Sequence, residues 1–253
     1  MASNIFQHIQ EYISGLLRPR LFPVEYSGVI TDPYISSVIV LLHCDGANGG
    51  ALVDETGKTW TVFTGAEINT ATKKFGTAAF VLDGITGYAK SDDHADFALG
   101  SNDWTIECWY REASHGATRQ IIGQHTTVGV TDSAFILYSD TGVPTLSVYV
   151  GGTTYTVTST VTGLSLDTWY HVAAVRDGGT LRLFVNGAAA GTTAIAGAVN
   201  NSVDPMAIGT IMGLGVPSLG IYFHGIVDDV RITRGVARYT AAFTPPTAAF
   251  PNT

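Results

Sequence analysis

The sequence predicts an all-β protein folded as a two-sheet antiparallel sandwich. Apolar residues make up 45% of the 253 positions and charged residues only 13%, with 29 glycines. Chains of strands and turns use such a composition, and helical chains do not. From Val38 onward, short runs of alternating apolar and polar residues recur at about 8–12-residue spacing, bounded by Gly, Asn or Asp. About thirteen such runs stack naturally as two sheets about 10 Å apart. All-β sandwiches often reach this length as one domain, and no period of about 20–50 residues points to a solenoid or propeller.

The first 36 residues do not share that pattern. Over residues 4–17, Ile5, Ile9, Ile13 and Leu16 recur at helical spacing beside Phe6 and Leu17, with Gln7, Gln10, Glu11 and Ser14 opposite. Ser3 or Asn4 serves as the N-cap and Pro19 stops the helix. An isolated helix of this length is marginal in water, so its apolar stripe needs a partner. Pro19, Pro23 and Pro33 then mark an extended connection, too apolar for a flexible Gly/Ser linker. The stripe either packs on the chain's own sandwich or forms an assembly arm. The expected division is an arm over residues 1–36 and a sandwich domain over residues 37–253.

Strands follow in order. SVIVLLHC is continuously apolar, as in a strand buried on both faces or at a subunit boundary. TWTVF, TAAFVLD and GYAKS come next. In TIECWYR, Ile106, Cys108 and Tyr110 share one face, and Thr105, Glu107, Trp109 and Arg111 share the other. WYHVAAVRD turns across Asp177, Gly178 and Gly179 into TLRLFVNG, where Leu181, Leu183 and Val185 face one way and Arg182 and Phe184 the other. In the last run, Asp228 shares its parity with Ile226, Val230 and Ile232, which points its carboxylate inward. A buried carboxylate has to be paired, hydrogen-bonded or metal-bound.

Charge and cysteine usage exclude several classes. The net charge of −8 argues against nucleic acid, which needs clustered Lys and Arg. The small group Arg231, Arg234 and Arg238 is expected to pair with nearby aspartates. No apolar run approaches the ~20 residues of a membrane span, and no secretory signal is evident in the first residues. Cys44 and Cys108 each fall in an expected strand; they are read as buried free thiols, with a cross-sandwich disulfide as the alternative.

Three features recur in order: a strand ending in Asp83-Gly84, the W-Y-H-V-A strand hairpinned to L-x-L-F-V-N-G, and a closing G-x-V-D-D-V-R-I strand. Together they resemble the laminin-G-like, concanavalin-A-like jelly-roll family over about residues 38–250. The resemblance implies a jelly roll, a fold that carries lectins, adhesins, spacers and some glycosidases. It implies a structural calcium ion at Asp228, with Asp45 as a second ligand; backbone N–H groups or an arginine are the alternative partners of Asp228. It also implies sugar stacking on strand aromatics, among which Trp109, Tyr138, Tyr149, Tyr155 and Tyr222 are the candidates. The turn SDDHADF, residues 91–97, is a further candidate for calcium or a polar sugar contact.

Catalysis finds little support. Retaining glycosidases need two carboxylates about 5–5.5 Å apart, and the E-x-D-x-x-E strand of the glucanase relatives is missing here. Glu107 stands singly on its strand, Asp228 and Asp229 are adjacent, and there is no G-x-S-x-G elbow. The series V-R-I-T-R-G-V-A-R-Y-T-x-x-F-T-P-P resembles jelly-roll modules of bacteriophage tail, fibre and head-decoration proteins. That resemblance implies a non-enzymatic virion protein assembled in the host cytoplasm. Its arm would bind other virion proteins or further copies of itself, and its jelly roll would reach cell-surface glycans. A free lectin or adhesin is the alternative, and a glycosidase the third.

Overall fold

The computed structural model describes residues 31–126, 131–218 and 220–253. The expected helix over residues 4–17, with Ile5, Phe6, Ile9, Ile13, Leu16 and Leu17, lies outside the described residues. Seventeen strands are described: β1 (Val38–Leu42), β2 (Thr61–Val62), β3 (Ala66–Asn69), β4 (Ala79–Asp83), β5 (Ala89–Ser91), β6 (Trp104–Glu112), β7 (Arg119–Gln124), β8 (Phe135–Asp140) and β9 (Val143–Val150). They continue as β10 (Thr153–Thr158), β11 (Tyr170–Asp177), β12 (Thr180–Val185), β13 (Ala188–Ala194), β14 (Met206–Ile208), β15 (Met212–Gly213), β16 (Val216–Pro217) and β17 (His224–Arg234). The strands not expected include β15 and β16, each of two residues and too short to show an alternation, and β13, whose Ala-, Gly- and Thr-rich run carries little apolar pattern.

One sheet runs β13-β12-β11-β6-β17-β4-β3 with β1 also on β17; the other runs β10-β9-β8-β7-β14-β5-β2. All pairings are antiparallel, as expected for a jelly roll. Ile106, Cys108, Tyr110, Leu181, Leu183 and Val185 enter the core between the sheets. Cys108 lies in β6, whereas Cys44 sits two residues beyond β1 at φ +58°; both thiols are free and buried.

A second apolar layer covers the outside of the larger sheet. Phe184, Ala173 and Val175 pack there against Ala237, Tyr239 and Phe243 from the C-terminal tail. Phe250 packs likewise on Val38 and Leu41. The continuous apolar run of β1 follows from this: one face meets the core, the other meets the tail.

β17 carries the main departure from the expected pattern. It pairs with β4 up to Val227 and with β1 from Val230, so its neighbour changes in mid-strand. At that change its register against β6 slips between Asp228 and Arg231, and Asp229 adopts φ +49°. Such a bulge inverts the alternation. Val227, Val230 and Ile232 face the core, while Asp228 stands opposite Trp109 on the outer face. The inward orientation expected for Asp228 is therefore corrected.

The boundary at residue 37 also shifts. Asp32 is buried, accepts from Arg231 and Arg238, and donates its amide N–H to the Thr253 carbonyl at 2.8 Å. Residues 31–253 form one unit.

Candidate functional site

The aromatic candidates do not converge on one surface. Trp109 is 6% exposed, with Lys74 Nζ 3.8 Å from its ring centroid and Phe75 edge-on. Tyr149 is buried beside His125 and packs with Tyr138, Ile136 and Ile211. Tyr222 is buried near Tyr88, and Tyr155 packs on the main core. Strand aromatics serve mainly as packing here, as they do in most sandwiches.

The two carboxylates expected to hold calcium grip one loop, residues 74–78. Asp228 Oδ2 accepts the Lys74 and Phe75 amide N–H groups at 2.7 and 3.1 Å. Asp45 Oδ1 accepts the Thr77 and Ala78 amides and the Thr77 hydroxyl. Gly76, at φ +56°, lets the loop cross the Asp45 carboxylate, which any Cβ would overlap. Asp228 Oδ1 is buried without a partner among the described residues, and burial raises the carboxyl to about 7 against the pull of the two amides. Calcium needs 6–8 oxygen ligands, and no group of three His, Cys, Asp or Glu suited to a metal occurs among the described residues. Amide donors occupy one oxygen of each carboxylate, and the two remaining oxygens fall short of the shell that calcium needs.

Glu107, the strand carboxylate nearest to a catalytic role, is fully buried under the tail. Its Oε1 accepts Arg231 Nε and Nη2 at 3.0 and 2.8 Å, and its Oε2 accepts the Tyr239 hydroxyl at 2.9 Å. Burial pushes this carboxyl up, but the Arg231 charge and His171 outweigh it and hold it at about 2. A group so acidic and so enclosed can neither donate a proton to a glycosidic oxygen nor reach one. The expected pairing of the arginine group holds: Arg231 and Arg238 bind Asp32, and Arg234 lies 3.7 Å from Asp96.

A polar cleft of about 380 Å³ opens where β2 pairs with β5. One wall is Thr56, Lys58, Thr59 and Thr61; the other is Ser91, Asp92, Asp93, His94 and Asp96. The first wall is fixed by buried Asp54, which accepts the Leu41 and Thr56 amides and the Trp60 indole N–H. The second ends in a 3-10 turn over Ala95–Phe97, where His94 Nδ1 accepts the Asp96 amide at 3.1 Å. Lys58 Nζ meets Asp96 Oδ2 at 3.0 Å, and this bond holds the Asp96 carboxyl below its ordinary range. Asp93 Oδ1 accepts from Gln124 Nε2 at 2.9 Å, and the same buried amide reaches the Ser202 and Asp204 carbonyls. Hydroxyls, carboxylates and an imidazole around a solvent-facing hollow suit hydrogen bonding to a polyhydroxylated ligand. The SDDHADF turn, a candidate for calcium or a sugar contact in the sequence, forms one side of this cleft. The Thr56–Thr61 side was not singled out, because TWTVF reads only as a strand and the residues before it carry no motif.

The fold defines a concanavalin A-like sandwich, and the comparisons agree. Residues 83–238 match the family described as the concanavalin A-like lectin/glucanases superfamily. The chain belongs to that superfamily. Among solved structures it is similar to the binding domain of Paraclostridial Mosquitocidal Protein 1, with 15% identity and TM-score 0.61, covering 83% of this chain and 50% of that one. It is similar to the botulinum neurotoxin serotype D binding domain at 15% identity and TM-score 0.58, covering 80% and 49%. The binding domain of botulinum neurotoxin DC, in complex with SialylT, gives 13% identity and TM-score 0.57, covering 79% and 48%. The chain spans about half the length of each, and the likeness is one of fold. No curated protein matches the sequence.

Proposed function

We propose that this chain is a non-catalytic, glycan-binding module whose ligand site is the cleft between Thr56–Thr61 and Ser91–Asp96. The carrying observation is the cleft itself, polar on both walls and braced from behind by buried Asp54 and Gln124. Superfamily membership supports the reading, as does a fold neighbour whose structure holds SialylT. The engagement of Glu107 with Arg231 and Tyr239 supports the absence of catalysis.

The finer reading places the module on a bacteriophage particle, attached through residues 1–36 to other virion proteins or to further copies of itself. The C-terminal series beginning V-R-I-T-R-G and the apolar stripe Ile5, Ile9, Ile13 and Leu16 support it. Display in many copies would strengthen weak single-site binding by raising effective concentration. A polysaccharide panel tests the core of the reading, scoring both retention and reducing-end release. Retention that falls on Asp93→Ala or Thr59→Ala, with no release, is the expected result. Steady release of reducing ends overturns it in favour of a glycosidase. Retention by an unassembled monomer, with no incorporation into particles, favours a free lectin.

A further inference from the structure

We infer that the cleft selects sugars without an acidic group and rejects sialylated or uronic ones, with a free amine on the sugar giving an advantage. The inference deepens the glycan-binding reading and rests on it.

The charge pattern of the walls carries it. Among the ten lining residues there are three aspartates and one lysine. The lysine is committed: Lys58 donates to Asp96 Oδ2 at 3.0 Å and to Thr56 Oγ1 at 3.3 Å, with its side chain only 7% exposed. Arg234 lies behind the 3-10 turn and donates to the Asp96 carbonyl at 3.1 Å. Lys90 pairs at the solvent side with Asp92 Oδ1 at 3.2 Å. Among the described residues these cations all have partners, so none is left to receive an incoming carboxylate.

His94 is likewise engaged. Its Nδ1 accepts the Asp96 amide N–H at 3.1 Å and lies 3.3 Å from Asp96 Oδ2, so the ring is tied to a carboxylate of the cleft wall.

Asp93 is the uncompensated anion. Among the described residues its carboxylate bonds only the neutral amide of Gln124, which is fully buried and binds two further carbonyls with the same nitrogen. That amide fixes the direction of the carboxylate without neutralising it. A neutral sugar meets a fixed acceptor for its hydroxyls, as well as the Thr59 and Thr61 hydroxyls and the His94 Nε2–H. An amino sugar gains a charge-assisted hydrogen bond. An acidic sugar brings a like charge to a site without a free cation, which disfavours binding.

The test compares lactose with sialyllactose, and oligosaccharides of N-acetylglucosamine with those of glucosamine and glucuronic acid, against the full chain at low and high salt. Sialylated and uronic ligands are expected to bind at least about tenfold more weakly than their neutral counterparts, and the gap should narrow with salt. Asp93→Asn should narrow the same ratio at low salt while the melting temperature stays within a few degrees of the parent. Equal or tighter binding of the acidic ligands overturns the inference and leaves the glycan-binding reading standing. Retention of none of the sugars overturns that reading, and the inference with it.

Discussion

Glu107 and Arg231, 124 positions apart in the sequence, form a buried contact on the outer face of the larger sheet, with two guanidinium nitrogens donating to one carboxylate oxygen. Arg231 also reaches Asp32, which Arg238 clamps through two hydrogen bonds, while Tyr239 closes over the second oxygen of Glu107. Four segments meet at this contact: the entry to β1, strand β6, strand β17 and the tail. The V-R-I-T-R-G-V-A-R-Y series therefore has a physical purpose, which is to fasten the tail to the sheet.

Breaking this network should be costly. Glu107→Gln leaves Arg231 with one of its two carboxylate partners, Asp32, in a dry site, a change that costs about 3 kcal/mol. The parent carries the matching pH signature. The Glu107 carboxyl is depressed to about 2 from 4.5, so it stabilises the fold fully above about pH 4.5 and loses that contribution as pH falls toward 2. The shift corresponds to about 3 kcal/mol. Urea unfolding of parent and variant from pH 7 to pH 2.5 should show the two curves converging in acid. Parallel curves would remove Glu107 from its assigned role.

Much of this domain was legible in the sequence because its strands alternate. The faces of β6, β11 and β12 follow from residue parity, and the Asp177–Thr180 hairpin from its two glycines. Parity failed at Asp228 because one bulge reverses it, and a bulge depends on which strands lie alongside β17. Trp109 was legible as an outer-face residue, but its covering by Lys74 and Phe75 was not, since residues 74–78 hold their position through Asp45 and Asp228. The partners of Glu107 were hidden for the same reason. Long-range pairing is set by topology, and no local pattern encodes it.

Asp228 should show the opposite pH behaviour to Glu107. Its folded carboxyl lies at about 7, above the ordinary 3.8, so the fold favours the protonated form and is progressively penalised as pH rises between these values. Asp228→Asn removes the penalty. Its stability relative to the parent should therefore improve by ~1.4 kcal/mol per pH unit between about pH 4 and 7, then level off. A chelator should leave the parent melting curve unchanged. A melting temperature that drops with chelator, and no longer does so in Asp228→Asn, would instead establish structural calcium.

Gly187, the last residue of L-x-L-F-V-N-G, holds φ +75°, and its carbonyl accepts the Phe243 amide N–H at 2.9 Å. A Cβ there would overlap the Phe243 carbonyl. Phe243 stacks on Tyr239 at 3.6 Å between ring centroids, so displacing it loosens the cover over Phe184 and Glu107. Gly187→Ala should cost about 1–3 kcal/mol and make the tail beyond residue 236 sensitive to protease at native pH. A tail as resistant as the parent's would show that its docking does not depend on this turn.

Two truncations separate the arm from the domain. Removing residues 1–30 deletes the stripe Ile5, Ile9, Ile13 and Leu16 and leaves Asp32 in place between Arg231 and Arg238. This shorter chain should keep its β-sheet circular dichroism and its melting temperature while losing self-association, measured by light scattering, and incorporation into particles. Removing residues 1–36 also deletes Asp32 and leaves two buried guanidinium groups without that carboxylate. The added loss should be about 3 kcal/mol or more, so a large gap in urea midpoint should separate the two truncations. Equal stability would mean that Asp32 contributes little and that the domain starts at residue 37 after all. Collapse of both would assign residues 1–30 to the sandwich core, and the assembly role of the arm would fall with that result.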